Sequence, residues 1–139
     1  MSLSFQSADA EHATPLGRKT ILVVDDEVSV RKMLQDCLED FGFDVLTAGD
    51  GAEACGLFTK EFARIDLVVS DVLMPKMNGF YAYQMMCRIK PGLKAILVSG
   101  YPNGADMVND ENINVPEFIA KPIRPKDLLE KIHDMLEAA

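Results

Sequence analysis

The 139-residue chain has no tryptophan, three cysteines and two histidines. Cys37, Cys55 and Cys87 are odd in number, unclustered and set in stretches of helical pattern, so they suggest neither a disulfide frame nor a zinc site. They read as small buried thiols. His12 stands alone in a polar stretch and reads as solvated. His133 has no metal-spaced companion and sits near a helix end, where a cation is favoured. Long apolar runs are missing too: none approaches the roughly 20 residues of a membrane span. The N-terminus lacks the basic-then-apolar layout of a signal peptide, and a cytoplasmic location is expected. Positive charge is short, with 14 Lys and Arg against 22 Asp and Glu and a net charge of -8. Without a basic run or arginine stripe, direct nucleic-acid binding is not expected.

What the chain does have is ample apolar content, 48%, for one globular core. Residues 1–18 are small, polar and aperiodic, as in a flexible tail or interdomain linker, and 19–139 read as a single folded domain. From Thr20 a strand-then-helix alternation runs five times. Strands are expected at "TILVVD" (20–25), "DVLTA" (44–48), "LVVSD" (67–71), "AILVS" (95–99) and "EFIA" (117–120). Val30, Met33, Leu34, Cys37, Leu38 and Phe41 make one apolar helical face, stopped by Gly42. Leu128, Leu129, Ile132, Met135 and Leu136 make another, and helices are expected at 52–62 and 79–89. Such alternation implies an α/β domain: an open, five-stranded parallel sheet with helices on both faces and right-handed crossovers. In these sheets the ligand site lies beyond the carboxyl ends of the strands.

The stretch "LVVSDVLMP" (67–75) sets the chemical problem, because Asp71 ends a greasy strand where an unpaired charge would be costly. Reading off the other strand ends gives Asp25, Asp26, Ser99 and Lys121. Carboxylates about 5 Å apart repel by about 3 kcal/mol at an effective dielectric of about 20, so something positive must sit among them. A hard divalent cation on carboxylates, a carbonyl and water describes a Mg²⁺ site, and such sites leave room for phosphate oxygens. Lys121 adds a compact cation suited to phosphate and Ser99 a hydroxyl donor. Asp71 has no neighbouring base, but a carboxylate can attack phosphorus itself.

The segments "LVVDDE", "LVVSDVLMPKMNG", "ILVSGY" and "FIAKP" together resemble the receiver domain of two-component response regulators, over residues 20–137. The resemblance implies a flavodoxin-like fold with strand order 2-1-3-4-5. It implies that Asp71 is the phosphoacceptor, supplied by a phosphohistidine on a histidine kinase or histidine phosphotransfer domain. It further implies Mg²⁺ held by Asp26, Asp71 and the backbone carbonyl of Leu73, with Asp25 acting through bound water. Ser99 would hydrogen-bond the phosphoryl group, Lys121 would pair with it, and Phe118 would be the aromatic of the switch. Phenylalanine has no hydroxyl, so a hydrogen-bonded form of that switch is not open to it. Pro122 is similar to a proline whose peptide bond is often cis in the family. The implied change falls on the face around strands 4 and 5, and a weak homodimer is compatible with the pattern. The segment 100–122, rich in Asn and Gly, reads as a short or irregular fourth helix, similar to receivers at the C-termini of hybrid sensor kinases.

Two other families share part of this pattern. "GDGAEA" (49–54) matches the glycine pattern of a dinucleotide-binding loop, with Asp71 twenty residues beyond Gly51. It falls in the second unit, however, and leaves Asp25, Asp26 and Lys121 unexplained. Aspartyl-phosphate phosphatases of the haloacid dehalogenase type also use a nucleophilic Asp, a Ser or Thr, a Lys and Mg²⁺. They need a second Asp two places after the nucleophile, where this chain has Leu73. Met74, Met77, Met85 and Met86 read as packing, and Lys76 as solvated.

Overall fold

The computed structural model describes residues 18–74, 78–100 and 116–137. The expectations for the tail, for Lys76 and Met77, and for a fourth helix after Gly100 lie outside these residues. The described elements are β1 (Thr20–Val24), α1 (Val28–Asp40), β2 (Asp44–Ala48), α2 (Gly51–Glu61), β3 (Leu67–Asp71), α3 (Gly79–Ile89), β4 (Lys94–Ser99), β5 (Glu117–Ala120) and α4 (Pro125–Glu137). The five strands form one sheet in the order β2-β1-β3-β4-β5, and every pairing is parallel.

The period-two alternation of the strands divides the core in two. Leu22, Val24, Val68, Ala95 and Leu97 pack with Ala54 and Phe58 of α2 and with Ala82, Tyr83 and Met86 of α3. Ile21, Val23, Leu67, Val69, Ile96 and Val98 pack on the other face with Leu34 and Leu38 of α1 and Leu128 and Ile132 of α4. Burial on both faces explains why β1 and β3 are apolar almost throughout.

Element ends follow local chemistry. Gly42, at φ +94°, stops α1 by donating to Glu39 O while Phe43 N donates to Leu38 O, a paired closure that needs the left-handed conformation. Asn78 caps α3 by accepting from Tyr81 N at 2.8 Å. The last helix begins earlier than its apolar face suggests, because Pro125 fits a first helical position. β1 ends at Val24, one residue short of the expected Asp25, although Asp25 N still donates to Ala48 O at 3.2 Å. The three cysteines are thiols, half-buried rather than fully enclosed, and burial pushes those of Cys37 and Cys55 up. The peptide bond before Pro122 is cis.

Candidate functional site

Parallel strands all end at one edge, so their last residues meet there. Asp25 and Asp26 follow β1, Asp71 closes β3, Ser99 closes β4 and Lys121 follows β5. Carboxylate oxygens of Asp25, Asp26 and Asp71 all lie within 4.8 Å of one another. Asp25 and Asp71 are buried, at 2% and 3% exposure, whereas Asp26 is exposed.

Each group is held by a separate device. Asp71 Oδ2 accepts from Lys121 Nζ at 2.8 Å, and its Oδ1 accepts from Leu73 N at 3.2 Å. Lys121 is fixed at its backbone, where its N–H donates to Ser99 O at 2.9 Å. Asp25 Oδ1 accepts from Glu27 N at 2.9 Å. Ser99 is buried one residue past the strand position, Val98, that pairs with Asp71. Phe118 is half-buried in β5, opposite Leu97, and packs on the core face shared by α2 and α3. Leu73 leaves its side chain half-exposed just past Asp71.

The electrostatics of this edge are unbalanced. Burial raises the Asp25 carboxyl above its ordinary value, and the Asp71 and Asp26 charges add to that rise, against the hydrogen bond from Glu27 and the charge of Lys121. Lys121 is raised as well, chiefly by its hydrogen bond to Asp71. Among the described residues, one ammonium thus stands against three carboxylates, two of them buried. The donors are hard oxygens on a concave edge short of positive charge, which fits Mg²⁺ better than a softer metal.

Sequence reasoning locates Asp25, Asp26, Asp71 and Lys121, and the fold brings those four together, with Ser99 on the adjoining strand end. It misses two supports. Gly79 opens α3 so close to β3 that an added Cβ would lie 2.0 Å from Asp71 O and 2.9 Å from Ser70 Oγ. The Asn-Gly pair before a helix is the only local signal of that approach. Arg31 Nη1 donates to the backbone carbonyl of Asp25 at 2.7 Å, a contact with no signature in the sequence. The dinucleotide-loop match has a structural explanation. Asp50 Oδ1 accepts from Glu53 N, and Glu53 Oε1 accepts from Gly49 N, so carboxylates take N–H groups that a pyrophosphate would need.

Comparison with known proteins agrees with this geometry. Residues 21–133 match the family model described as the response regulator receiver domain. The chain is 36% identical over 121 residues to a probable transcriptional regulator, ycf27, of Cyanophora paradoxa, covering 87% of this chain and 49% of that protein. It is 36% identical over 128 residues to the sensor kinase CckA of Brucella abortus, covering 91% of this chain and 14% of the kinase. The chain therefore spans half or less of these relatives. Among solved structures, the CheX–CheY–BeF₃–Mg²⁺ complex from Borrelia burgdorferi superposes with a TM-score of 0.76 at 27% identity, covering 86% of this chain and 91% of that one.

Proposed function

The chain belongs to the response regulator receiver family, the phosphoacceptor switches of two-component signalling, and we propose that Asp71 is its acceptor residue. The observation that carries this reading is a buried Asp71 carboxylate, 2.8 Å from Lys121 and crowded by two further acids at the ligand edge of a parallel sheet. A phosphohistidine on a histidine kinase or histidine phosphotransfer domain presents its phosphorus to this edge. An Asp71 oxygen attacks in line, an O–P bond forms as the P–N bond breaks, and the electron pair returns to the imidazole nitrogen. Asp26, Asp71 and the Leu73 carbonyl would hold Mg²⁺, with Asp25 acting through bound water. The ion supplies neutralising charge for the transferring phosphoryl oxygens when bound. Lys121 turns from the Asp71 oxygen to a phosphoryl oxygen, and Ser99 donates its hydroxyl to another. Those two movements favour a second arrangement of the β4–β5 side, read out through Phe118.

A phosphatase with turnover would need an acid–base carboxyl two residues after Asp71, and the half-exposed Leu73 stands there. The chain is read as an acceptor modified on itself rather than a hydrolase. The 36% identity to the sensor kinase CckA over 128 residues supports a place as the receiver of a hybrid kinase, on the cytoplasmic side. No helix among the described residues is long and apolar enough to cross a membrane. The test is incubation with acetyl phosphate and Mg²⁺, followed by mapping of the modified residue by mass spectrometry. A single acid-labile phosphate on Asp71 is expected, and a label at any other residue contradicts the assignment.

A further inference from the structure

A cation in the opening turns of a helix sits against the helix dipole, and the first turn of α1 carries no acidic residue to offset it. Arg31 nevertheless occupies the fourth position of α1. Its guanidinium turns back toward the loop that carries Asp25 and Asp26. Three bonds close a ring: Asp25 Oδ1 accepts from Glu27 N at 2.9 Å, Glu27 O accepts from Arg31 N at 3.0 Å, and Arg31 Nη1 returns to Asp25 O at 2.7 Å. The ring is seated against a second loop. A Cβ added to Gly49 would lie 3.1 Å from Arg31 Nη1 and 3.3 Å from Glu53 Oε1, and Glu53 itself is fixed by its bonds to Gly49 and Asp50. The guanidinium thus spans the ends of β1 and β2 and, among the described residues, bonds to no carboxylate of the acidic cluster.

We propose that Arg31 is a positioning residue that holds the Asp25–Asp26 loop in the arrangement that receives the divalent cation. The inference rests on the reading of the acidic cluster as a Mg²⁺ site and adds to it a residue outside the ligand set. Its value lies in the sign of the effect. A cation beside a cation site, acting as charge alone, weakens Mg²⁺ binding, so its removal would tighten binding. A clamp acts the other way: releasing the loop leaves Asp26 to be ordered at the cost of binding affinity. Lysine separates the two again, because it keeps the charge but replaces a planar fork with a point donor on a flexible stem.

The experiment is calorimetric titration of Mg²⁺ into wild type, Arg31→Ala, Arg31→Lys and Gly49→Ala, with hydrogen exchange of the metal-free proteins. Loss of a group that orients metal ligands typically weakens affinity by about tenfold or more, and Arg31→Ala is expected to weaken Mg²⁺ by about that factor. Arg31→Lys should fall between the two. Gly49→Ala, which crowds Nη1, should shift affinity in the same direction by less. Amides of residues 25–27 should exchange faster in Arg31→Ala while those of β3 stay protected, a change that needs no metal. Should Arg31→Ala not fold, the lysine and Gly49 variants still decide the matter. Unchanged or tighter Mg²⁺ binding in the variants, beside a normal wild-type isotherm, overturns the role of Arg31 alone. A wild-type chain that gives no isotherm overturns the metal reading and this inference together.

Discussion

The two ends of the one sheet treat charge in opposite ways. At the amino end several charged groups have structural partners of their own. Asp66 Oδ2 accepts from Thr20 N at 2.8 Å. Lys90 Nζ donates to the carbonyls of Phe62 and Ile65 at 3.0 and 2.6 Å, and Lys94 Nζ to that of Met135 at 2.5 Å. These bonds tie loops and helix ends to the sheet. At the carboxyl end, among the described residues, three carboxylates share one close ammonium, and two of them are buried. The same backbone makes both ends, so the imbalance comes from side chains placed where strands stop. Charge left uncompensated by the fold is what remains available for a ligand.

That contrast can be broken most completely at Asp71. Asp71→Asn should remove acetyl phosphate labelling altogether, measured by intact mass, while the fold persists in circular dichroism. Gly79→Ala should be the most damaging to stability, because its Cβ would strike backbone rather than a movable side chain. A loss of about 1–3 kcal/mol is expected, read by urea unfolding. Lys90→Met probes the other end: it removes the ammonium from the Ile65 carbonyl and from that of Phe62, which keeps its bond from Ile65 N, and should cost about 1 kcal/mol. Its Mg²⁺ affinity should stay at the wild-type value, and a change there would show that the two ends are not independent.

The fold was legible from the sequence because β1 and β3 are apolar on both faces and because glycine and asparagine punctuate the helices, at Gly42 and Asn78. The acids were legible because a parallel sheet gathers its strand ends, so one-dimensional positions map onto one edge. Arg31 and Gly79 were not. Their roles depend on which loop or strand lies across from them, and neither residue type signals that by itself. The dinucleotide-like stretch misleads for a related reason: the same small and acidic residues that suggest a phosphate loop also serve to cap α2. The half-buried cysteines reflect helix rotation, which an apolar stripe fixes only to within a residue or so.

A smaller effect is set by pH. Asp25 has its carboxyl raised above 3.8 in the folded chain, mainly by burial. Stability of the metal-free protein should therefore be fully present below about pH 4 as far as this group is concerned, and be lost as pH rises through the elevated value. Saturating Mg²⁺ should flatten that slope, seen in melting curves recorded with and without the ion. Lys121, raised above 10.5 by its bond to Asp71, acts at the far end of the scale. Its stabilising contribution holds at neutral pH and fades only as pH climbs through that raised value.

The central claim, that the carboxyl edge is held short of positive charge for a metal to supply, is tested most directly by the melting temperatures of wild type and Asp26→Asn, each with and without Mg²⁺. The account predicts a crossing: the variant melts above wild type in EDTA, where one repelling charge is gone, and below it in saturating Mg²⁺, where a ligand is gone. A variant that melts at or below wild type in both conditions would contradict it.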